Sequence, residues 1–209
     1  MTRADDDHEG HCDRLARCVA RCLDEDPGLD WEGAFGAARR IVGVVGRGAL
    51  PSHALVRRHL EALQEARHGE DGARLARRAR VIAIVELLEF VRFALEPTDL
   101  LIVGLLARRV AVGPLELHAR LVGGRPFHDL FGQLESVGIK EMRPFSTVGP
   151  MGRFESLHFD SEGQSCTLTR IPPDESARTR GLNLVTGRQI TQVTLDLFSE
   201  FFAAPPDGG

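Results

Sequence analysis

The sequence predicts an α+β protein in which a helical N-terminal region is followed by a small mixed β-sheet with packed helices. Before Pro97, apolar residues recur every three to four positions, as helices that bury one face require. After Pro97, short apolar runs and alternation of apolar and polar residues take over, which is the period of strands. We therefore predict a helical region over residues 1–96, a small α/β sheet domain over 97–204 and a frayed tail over 205–209.

Composition and charge exclude several classes of function. A chain of 209 residues fits one or two domains with a sizeable buried core. Its net charge is −4, so a nucleic-acid partner is not expected. The chain lacks the run of about 18 apolar residues that a membrane span needs, and its acidic start lacks the apolar segment of a secretory signal. These features predict a cytoplasmic protein without a membrane partner.

Capping residues and glycines set the bounds of the first helices. One helix is predicted over about Cys12–Leu23, and a second over Trp31–Val45 with Asp30 as its N-cap. Ser52 is suited to cap a third helix, which the glycines between His68 and Gly72 interrupt.

The strongest helical pattern runs from Ala73 to about Leu95 and stops before Pro97, because the residue before a proline avoids helical geometry. Apolar residues repeat along it at helical spacing and predict one buried stripe, made of Leu75, Ala79, Ile82, Val85, Leu88 and Phe93.

The second half of the chain has the patterns of strands. Leu100–Leu106 is apolar throughout, as a strand covered on both faces would be, and Leu115–Leu121 alternates as a half-buried strand does. A helix is predicted over Pro126–Val137, ended by Gly138. Two further alternating runs predict a hairpin, and the last apolar segment is either a helix or a strand; these are Arg153–Asp160, Ser165–Ile171 and Ile190–Phe202.

Three of the four cysteines lie close together near the N-terminus, at Cys12, Cys18 and Cys22. A metal or redox site is one interpretation, but the spacing lacks the paired C-x2-C motifs of zinc sites. Because Cys18 and Cys22 share a helix face with Leu15, apolar packing is the favoured interpretation.

Several short landmarks follow one another in order from Trp31 onward. They are Asp30-Trp-Glu-Gly-Ala-Phe35, Leu50-Pro-Ser52, Ile102-Val-Gly104, Leu115-Glu-Leu-His118 and Arg170-Ile-Pro-Pro173. In this order they resemble a group of bacterial proteins related to the nucleotidyltransferase (polymerase-β-like) superfamily. In that superfamily a Gly-Ser turn after the first strand holds nucleotide phosphates. An Asp-x-Asp pair on the next strand and a later carboxylate hold two magnesium ions.

This sequence departs from the superfamily at each catalytic position. Gly104 matches the glycine of the Gly-Ser turn, but Leu105 stands in place of the serine. Pro114 falls where the first aspartate would lie, and Glu116 falls near the second. The resemblance therefore implies the fold, with Mg²⁺ and a nucleotide as cofactors only if activity survives.

Candidate catalytic residues are Glu116 and His118, a carboxylate and an imidazole on one strand face. His158 and Asp160 repeat this spacing on another strand, so neighbouring strands would bring the four side chains into a metal-like cluster. An ordinary polar strand face is the alternative interpretation.

The remaining candidates would bind metal or phosphate. Carboxylates are the expected magnesium ligands, and a glycine turn with arginines is the expected phosphate contact. The metal candidates are Glu116, Glu155 and Asp160, and the phosphate candidates are Gly104, Arg108 and Arg109.

These observations predict a non-catalytic nucleotidyltransferase-like protein with a binding or assembly role, whose partner is a protein or a nucleotide. An active magnesium-dependent nucleotidyltransferase is one alternative. A winged-helix DNA-binding regulator is another, with helices over Asp99–Arg109, Pro114–Val122 and Arg125–Ile139 and a wing over Phe154–Ile171. A strand at Leu100–Leu106 would rule out the winged helix.

Overall fold

A computed structural model describes residues 3–26, 29–43, 50–104, 106–108, 116–161 and 164–203. Within these ranges the chain folds into six α-helices and a six-stranded mixed sheet, which confirms the α+β class. It forms two compact units, one ending at Arg77 and the other beginning at Arg78. This division lies inside a helix, so the domain boundary after residue 96 stays a prediction.

The first unit is built from helices α1 (Arg3–Glu25), α2 (Trp31–Val42) and the first part of α3 (His53–Leu95). Small and aliphatic side chains fill its core, including Leu15, Val19, Ala34, Ala38, Val56 and Leu60. Helix α1 begins earlier than predicted, because the residues before Cys12 include no proline to stop it.

The predicted caps of these helices are confirmed. The Asp30 carboxylate accepts a hydrogen bond from the Gly33 amide at 2.7 Å, and the Ser52 hydroxyl accepts one from the Leu55 amide at 3.2 Å. Helix α2 ends at Val42 rather than Val45, because Gly43 takes a left-handed conformation with φ of 69°. Gly69, with φ of 71°, interrupts α3 within the predicted break.

The buried stripe of α3 agrees with the predicted one at Leu88 and at the partly buried Val85, and differs from it at the other positions. The buried residues of its second half are Val81, Ile84, Leu88, Val91 and Leu95. Leu75, Ile82 and Phe93 are exposed instead. Two apolar stripes run along this helix at the same spacing, and spacing alone does not select the one that meets the sheet.

The sheet belongs to the second unit. Its strands are β1 (Asp99–Val103), β2 (Glu116–Val122), β3 (Arg143–Gly149), β4 (Gly152–Ser161), β5 (Gln164–Ile171) and β6 (Gln192–Thr194). They lie in the order β3-β4-β5-β2-β1-β6, with β2 parallel to β5 and the other neighbours antiparallel. The helices of this part are α4 (Phe127–Ser136), α5 (Pro173–Thr179) and α6 (Leu195–Ala203).

The strand prediction at residues 100–103 is confirmed, and the winged-helix alternative is wrong. Strands β1 and β2 occupy segments where that fold requires its first two helices. Strand β1 is shorter than predicted, because Gly104 turns the chain with φ of 82° and a 3-10 helix follows at Leu106–Arg108.

Helix α4 and the β4–β5 hairpin are confirmed, and two elements were not anticipated. Helix α4 ends with the Ile139 amide donating to the Leu134 carbonyl at 3.0 Å, around Gly138 as expected. Strand β3 and helix α5 lie in segments for which no element was predicted. The terminal segment contains both a short strand, β6, and a helix, α6.

One face of the sheet is covered by helices. Leu117, Ala119, Leu157, Phe159 and Leu168 point to this face and pack with the buried stripe of α3. Helices α4 and α6 complete the cover through Leu130, Leu134, Leu195 and Phe198. The side chains on the opposite face of the sheet are therefore the ones that these helices leave open to a ligand.

Candidate functional site

A row of polar side chains crosses the other face of the sheet. Arg143 on β3 lies opposite His158 on β4, which lies opposite Thr167 on β5. Thr167 in turn lies opposite His118 on β2. Residues that lie directly opposite each other project to the same side of a sheet, so these four side chains share one surface.

Two parallel rows flank it. The row on one side consists of Asp160, Ser165 and Glu116. The row on the other side consists of Phe145, Ser156, Thr169 and Arg120. The strands that carry the two histidines are separated by β5, so the Cα atoms of His118 and His158 are about 9–10 Å apart, twice the usual strand spacing.

Hydrogen bonds fix both histidines. The His118 Nε2 atom lies 2.9 Å from a Glu116 carboxylate oxygen, and both side chains are substantially exposed. The His158 Nδ1 atom lies 3.3 Å from the Thr167 hydroxyl. The predicted Glu116–His118 pair therefore exists as a contact, and the second histidine is oriented by the strand between them.

A chain of hydroxyl groups forms the floor beside the histidines. The Ser156 hydroxyl is fully buried and lies 3.0 Å from both the Thr147 and the Thr169 hydroxyl groups. Because each hydroxyl can both donate and accept a hydrogen bond, these three hydroxyl groups can satisfy one another without a carboxylate. The floor is therefore polar but carries no charge of its own at this point.

Arg120 is the charged group of the floor, and it is only 4 % exposed. Its guanidinium donates to the Thr179 carbonyl at 2.9 Å, to the Leu182 carbonyl and to the Gln192 amide oxygen at 3.3 Å. Burial lowers the pKa of Arg120 to about 10. These acceptors are all uncharged, and no carboxylate within the described ranges of the chain pairs with the Arg120 guanidinium.

The hydrogen bonds that Arg120 donates to Thr179 and Leu182 also hold the segment after α5 over one end of this face. Beyond α5, Leu184 packs with Val122, Phe154 and Ile171 of the sheet. The backbone passes so close to Gly149 that a Cβ atom there would lie 2.1 Å from the Leu184 carbonyl oxygen. The Asn183 carboxamide oxygen accepts from the Val185 and Thr186 amides at 2.9 Å each and shapes the turn.

The uncovered part of the face forms a cavity of about 570 Å³. Its lining includes Gly104, Glu116, His118, Arg120, Arg143, Phe145 and His158. This volume lies within the range of small-molecule sites. The cavity combines two arginines, two imidazoles and one carboxylate with the half-exposed ring of Phe145.

The cavity brings together four of the residues named from the sequence, which are Gly104, Glu116, His118 and His158. Asp160 lies in the same row as Glu116 and pairs with Arg143 at 3.6 Å, with both side chains mostly exposed. Glu155 lies on the opposite, helix-covered face and pairs with Arg170 at 3.8 Å. The three carboxylates proposed as metal ligands therefore do not converge.

The other phosphate candidates lie elsewhere. Arg108 ends the 3-10 helix and is exposed, and it does not line the cavity. Arg109 lies outside the described residues. Arg120, Arg143 and Phe145 were missed as site residues, because their convergence depends on strand order, which periodicity does not reveal.

The described residues include no cluster of three histidine, cysteine or acidic side chains arranged to hold a metal ion. Cys22 is buried in the core of the first unit, Cys18 packs against it and Cys12 is half-buried, and all three are free thiols. Burial raises the pKa of the Cys22 thiol, which opposes formation of a reactive thiolate.

No helix in the described part of the chain is long and apolar enough to cross a membrane. Comparisons of the chain with models of protein families, with curated proteins and with solved structures find no match.

Proposed function

We propose that the chain is a non-catalytic nucleotidyltransferase-like protein that binds a phosphate-bearing ligand, with a nucleotide as the first candidate, on the exposed face of its sheet. One observation carries the proposal. Gly104 and Glu116, which the sequence resemblance aligns with the phosphate and metal positions of the superfamily, line one cavity with Arg143 and His158.

The charges of this cavity suit an anion. Arg143 is largely exposed, and its pairing with Asp160 at 3.6 Å is a weak, solvated contact that a phosphate would displace. A guanidinium can donate two parallel hydrogen bonds to phosphate oxygens. The imidazoles of His158 and His118 add further donors beside it, and the buried charge of Arg120 lies beneath.

The cavity also offers a surface for a flat ring. Phe145 is 44 % exposed and lies two residues from Arg143 on the same face of β3. An aromatic ring stacks favourably with the face of a nucleobase, whatever the base, by about 1–3 kcal/mol. A ligand that joins a base to a phosphate would therefore use both groups at once.

The acidic residues support binding rather than nucleotidyl transfer. Two magnesium ions need several carboxylates that converge on one point. Here Glu116 is engaged by His118, and Asp160 lies two strands away in the same row. The recognition helix of the DNA-binding alternative was predicted over Arg125–Ile139, which carries one arginine and two acids, and helix α4 within it contains no lysine or arginine, so its charge does not favour contact with DNA.

Calorimetric titration with ATP, GTP and UTP, with and without magnesium, tests this function. We expect binding in the micromolar range that does not require magnesium. Arg143→Gln and His158→Asn should each weaken it by about tenfold, the effect of losing one charge-assisted hydrogen bond. Glu155→Gln is the matched control, because Glu155 lies on the other face of the sheet and should leave the affinity unchanged.

Two outcomes would overturn the proposal. Binding that requires magnesium and is removed by Glu116→Ala would indicate an active metal site and support the enzyme alternative. Absence of heat with all three nucleotides under either condition would exclude nucleotides as the ligand class.

A further inference from the structure

A second cavity, of about 600 Å³, borders the cavity on the sheet face, and Arg143 lines both. The segment between α4 and β3 forms one wall of the second cavity, and the end of β4 forms another. Lys140 and Glu141 come from that segment, and Asp160 and Ser161 come from β4. The base and the phosphate of the proposed ligand would leave this second cavity unfilled.

The two cavities follow one another along the chain at strand β3. Phe145 lies two residues after Arg143, on the same face of the strand, and lines the first cavity. Lys140 and Glu141 precede Arg143 and line the second cavity. Side chains two residues apart on a strand are about 7 Å apart. A ligand with its base on Phe145 and a phosphate on Arg143 would therefore direct the group beyond its phosphate toward the second cavity.

The second cavity has mixed charge. Lys140, the single lysine of the chain, contributes an ammonium group, and Glu141 contributes a carboxylate. Both side chains are exposed, and neither has a hydrogen-bond or ion-pair partner within the described ranges of the chain. Asp160 adds a second carboxylate, which pairs with Arg143 at 3.6 Å. Because two carboxylates oppose the two cations, the second cavity does not favour a further phosphate group.

Binding of a phosphate to Arg143 would change the role of Asp160. The phosphate would displace this carboxylate from the guanidinium and leave two negative groups side by side, which is unfavourable without a hydrogen-bond donor close to them. A hydroxyl group is such a donor, and its hydrogen bond to a carboxylate is stronger than one between neutral groups. Since hydroxyl groups also accept hydrogen bonds, a sugar suits a cavity that offers both carboxylates and the ammonium group of Lys140.

We propose that the ligand is a nucleoside diphosphate sugar, with its base on Phe145, its diphosphate at Arg143 and its sugar in the second cavity. The order of these groups in the ligand matches the order of the side chains along the chain at β3. Sugar hydroxyls would donate to Asp160 and Glu141 and accept from Lys140. This inference rests on the proposed function and names the class of nucleotide that the site takes.

Calorimetric titration without magnesium, with each sugar nucleotide beside its own diphosphate, tests this ligand class. The pairs are UDP-glucose with UDP, ADP-glucose with ADP and GDP-mannose with GDP. We expect at least one sugar nucleotide to bind about tenfold more tightly than its diphosphate, the effect of one added hydrogen bond to a charged group.

Substitutions around the second cavity locate the sugar. Lys140→Gln and Glu141→Gln should each remove most of this gain and leave the affinity for the diphosphate unchanged. Arg143→Gln should weaken both compounds of a pair, because both carry the phosphate that the guanidinium contacts. Glu155→Gln is the matched control, because Glu155 lies on the other face of the sheet and should change neither affinity. Circular dichroism checks that these surface variants remain folded.

The possible results distinguish the sugar site from the nucleotide site. Diphosphates that bind as tightly as all three sugar nucleotides would overturn the sugar site and leave the nucleotide site in place. A gain from the sugar that neither Lys140→Gln nor Glu141→Gln reduces would also overturn the sugar site. Absence of heat with all six compounds would instead contradict the proposed function, and this inference with it.

Discussion

His118 and His158 face the same side of the sheet, on the two strands that flank β5, and each lies directly opposite Thr167. The two histidines are far apart in sequence, and the strands that carry them are not neighbours in the sheet. The two histidines lie in one row across the sheet because of the strand register: β5 pairs in parallel with β2 and forms an antiparallel hairpin with β4. This register, with Arg143 at the end of the same row, creates the cavity proposed to bind an anion.

Arg120 should be essential to the stability of the second unit. Arg120→Met would remove the side-chain donor to the Leu182 carbonyl and one of the two donors to the Thr179 carbonyl, which also accepts from the Leu182 amide, at a cost of about 1–3 kcal/mol in the free energy of unfolding. Urea denaturation followed by circular dichroism measures this loss. Arg153→Met is the control, because Arg153 is exposed and should change stability by less than about 0.5 kcal/mol. Equal effects of the two substitutions would contradict the role of Arg120.

The close approach at Gly149 should not tolerate a side chain. A Cβ atom would lie 2.1 Å from the Leu184 carbonyl oxygen and 2.8 Å from the Val185 Cα atom. Gly149→Ala should therefore destabilise the unit by about 2 kcal/mol or more and expose the following segment to proteolysis. Gly132→Ala offers a matched comparison, because Gly132 lies inside α4 with open space around it and should be neutral or stabilising. Similar stabilities for both variants would show that the backbone at Leu184 and Val185 does not pack closely against Gly149.

The burial of one face of α3 can be tested by the same substitution at two leucines of the helix. Leu88 is fully buried and Leu75 is 63 % exposed. Leu88→Ala should cost about 2–5 kcal/mol of unfolding free energy, and Leu75→Ala should cost less than about 1 kcal/mol. Thermal and urea unfolding of the two variants measure the difference. Equally large losses at Leu75 and Leu88 would support the stripe predicted from the sequence, which contains both residues.

The helical unit should lose stability in mild acid. The His53 ring stacks with Trp31 at 4.3 Å, and desolvation together with the nearby Arg57 charge lowers the pKa of His53 below its ordinary 6.5. Protonation therefore favours the unfolded chain, in which the histidine binds its proton more readily. The contribution of neutral His53 is present above pH 6.5 and is lost as the pH falls below that value.

Fluorescence of the single tryptophan, Trp31, can follow urea unfolding of this unit at pH 8 and at pH 5. The denaturation midpoint should fall in acid for the parent chain and fall less for His53→Gln. His68→Gln, at an exposed histidine of the same unit, should keep the full acid response. An equal acid response in all three proteins would contradict a role for His53.

Local signals in the sequence were enough to predict much of the fold. Asp30 and Ser52 cap their helices because short polar side chains satisfy free amides wherever a helix begins. Gly138 ends α4 for an equally local reason, its positive φ of 97°. The β4–β5 hairpin follows from two alternating runs joined by a short turn.

Long-range pairing limited the prediction of the site. Glu155 and Asp160 both lie on β4, but an odd separation in sequence places them on opposite faces of the strand. The burial of Arg120 depends on a segment some sixty residues away that supplies its acceptors, as the Thr179 carbonyl shows. Spacing on one strand does not reveal which strands become neighbours or what covers them.

The proposed phosphate-bearing ligand would bind on the His118–His158 face of the sheet. The most direct test follows the ring signals of the eight histidines by NMR while ATP is added without magnesium. We expect the signals of His118 and His158 to shift together with one saturation curve, while those of His11, His59 and His68 stay fixed. Saturable shifts confined to other histidines, or no shifts at millimolar ATP, would contradict it.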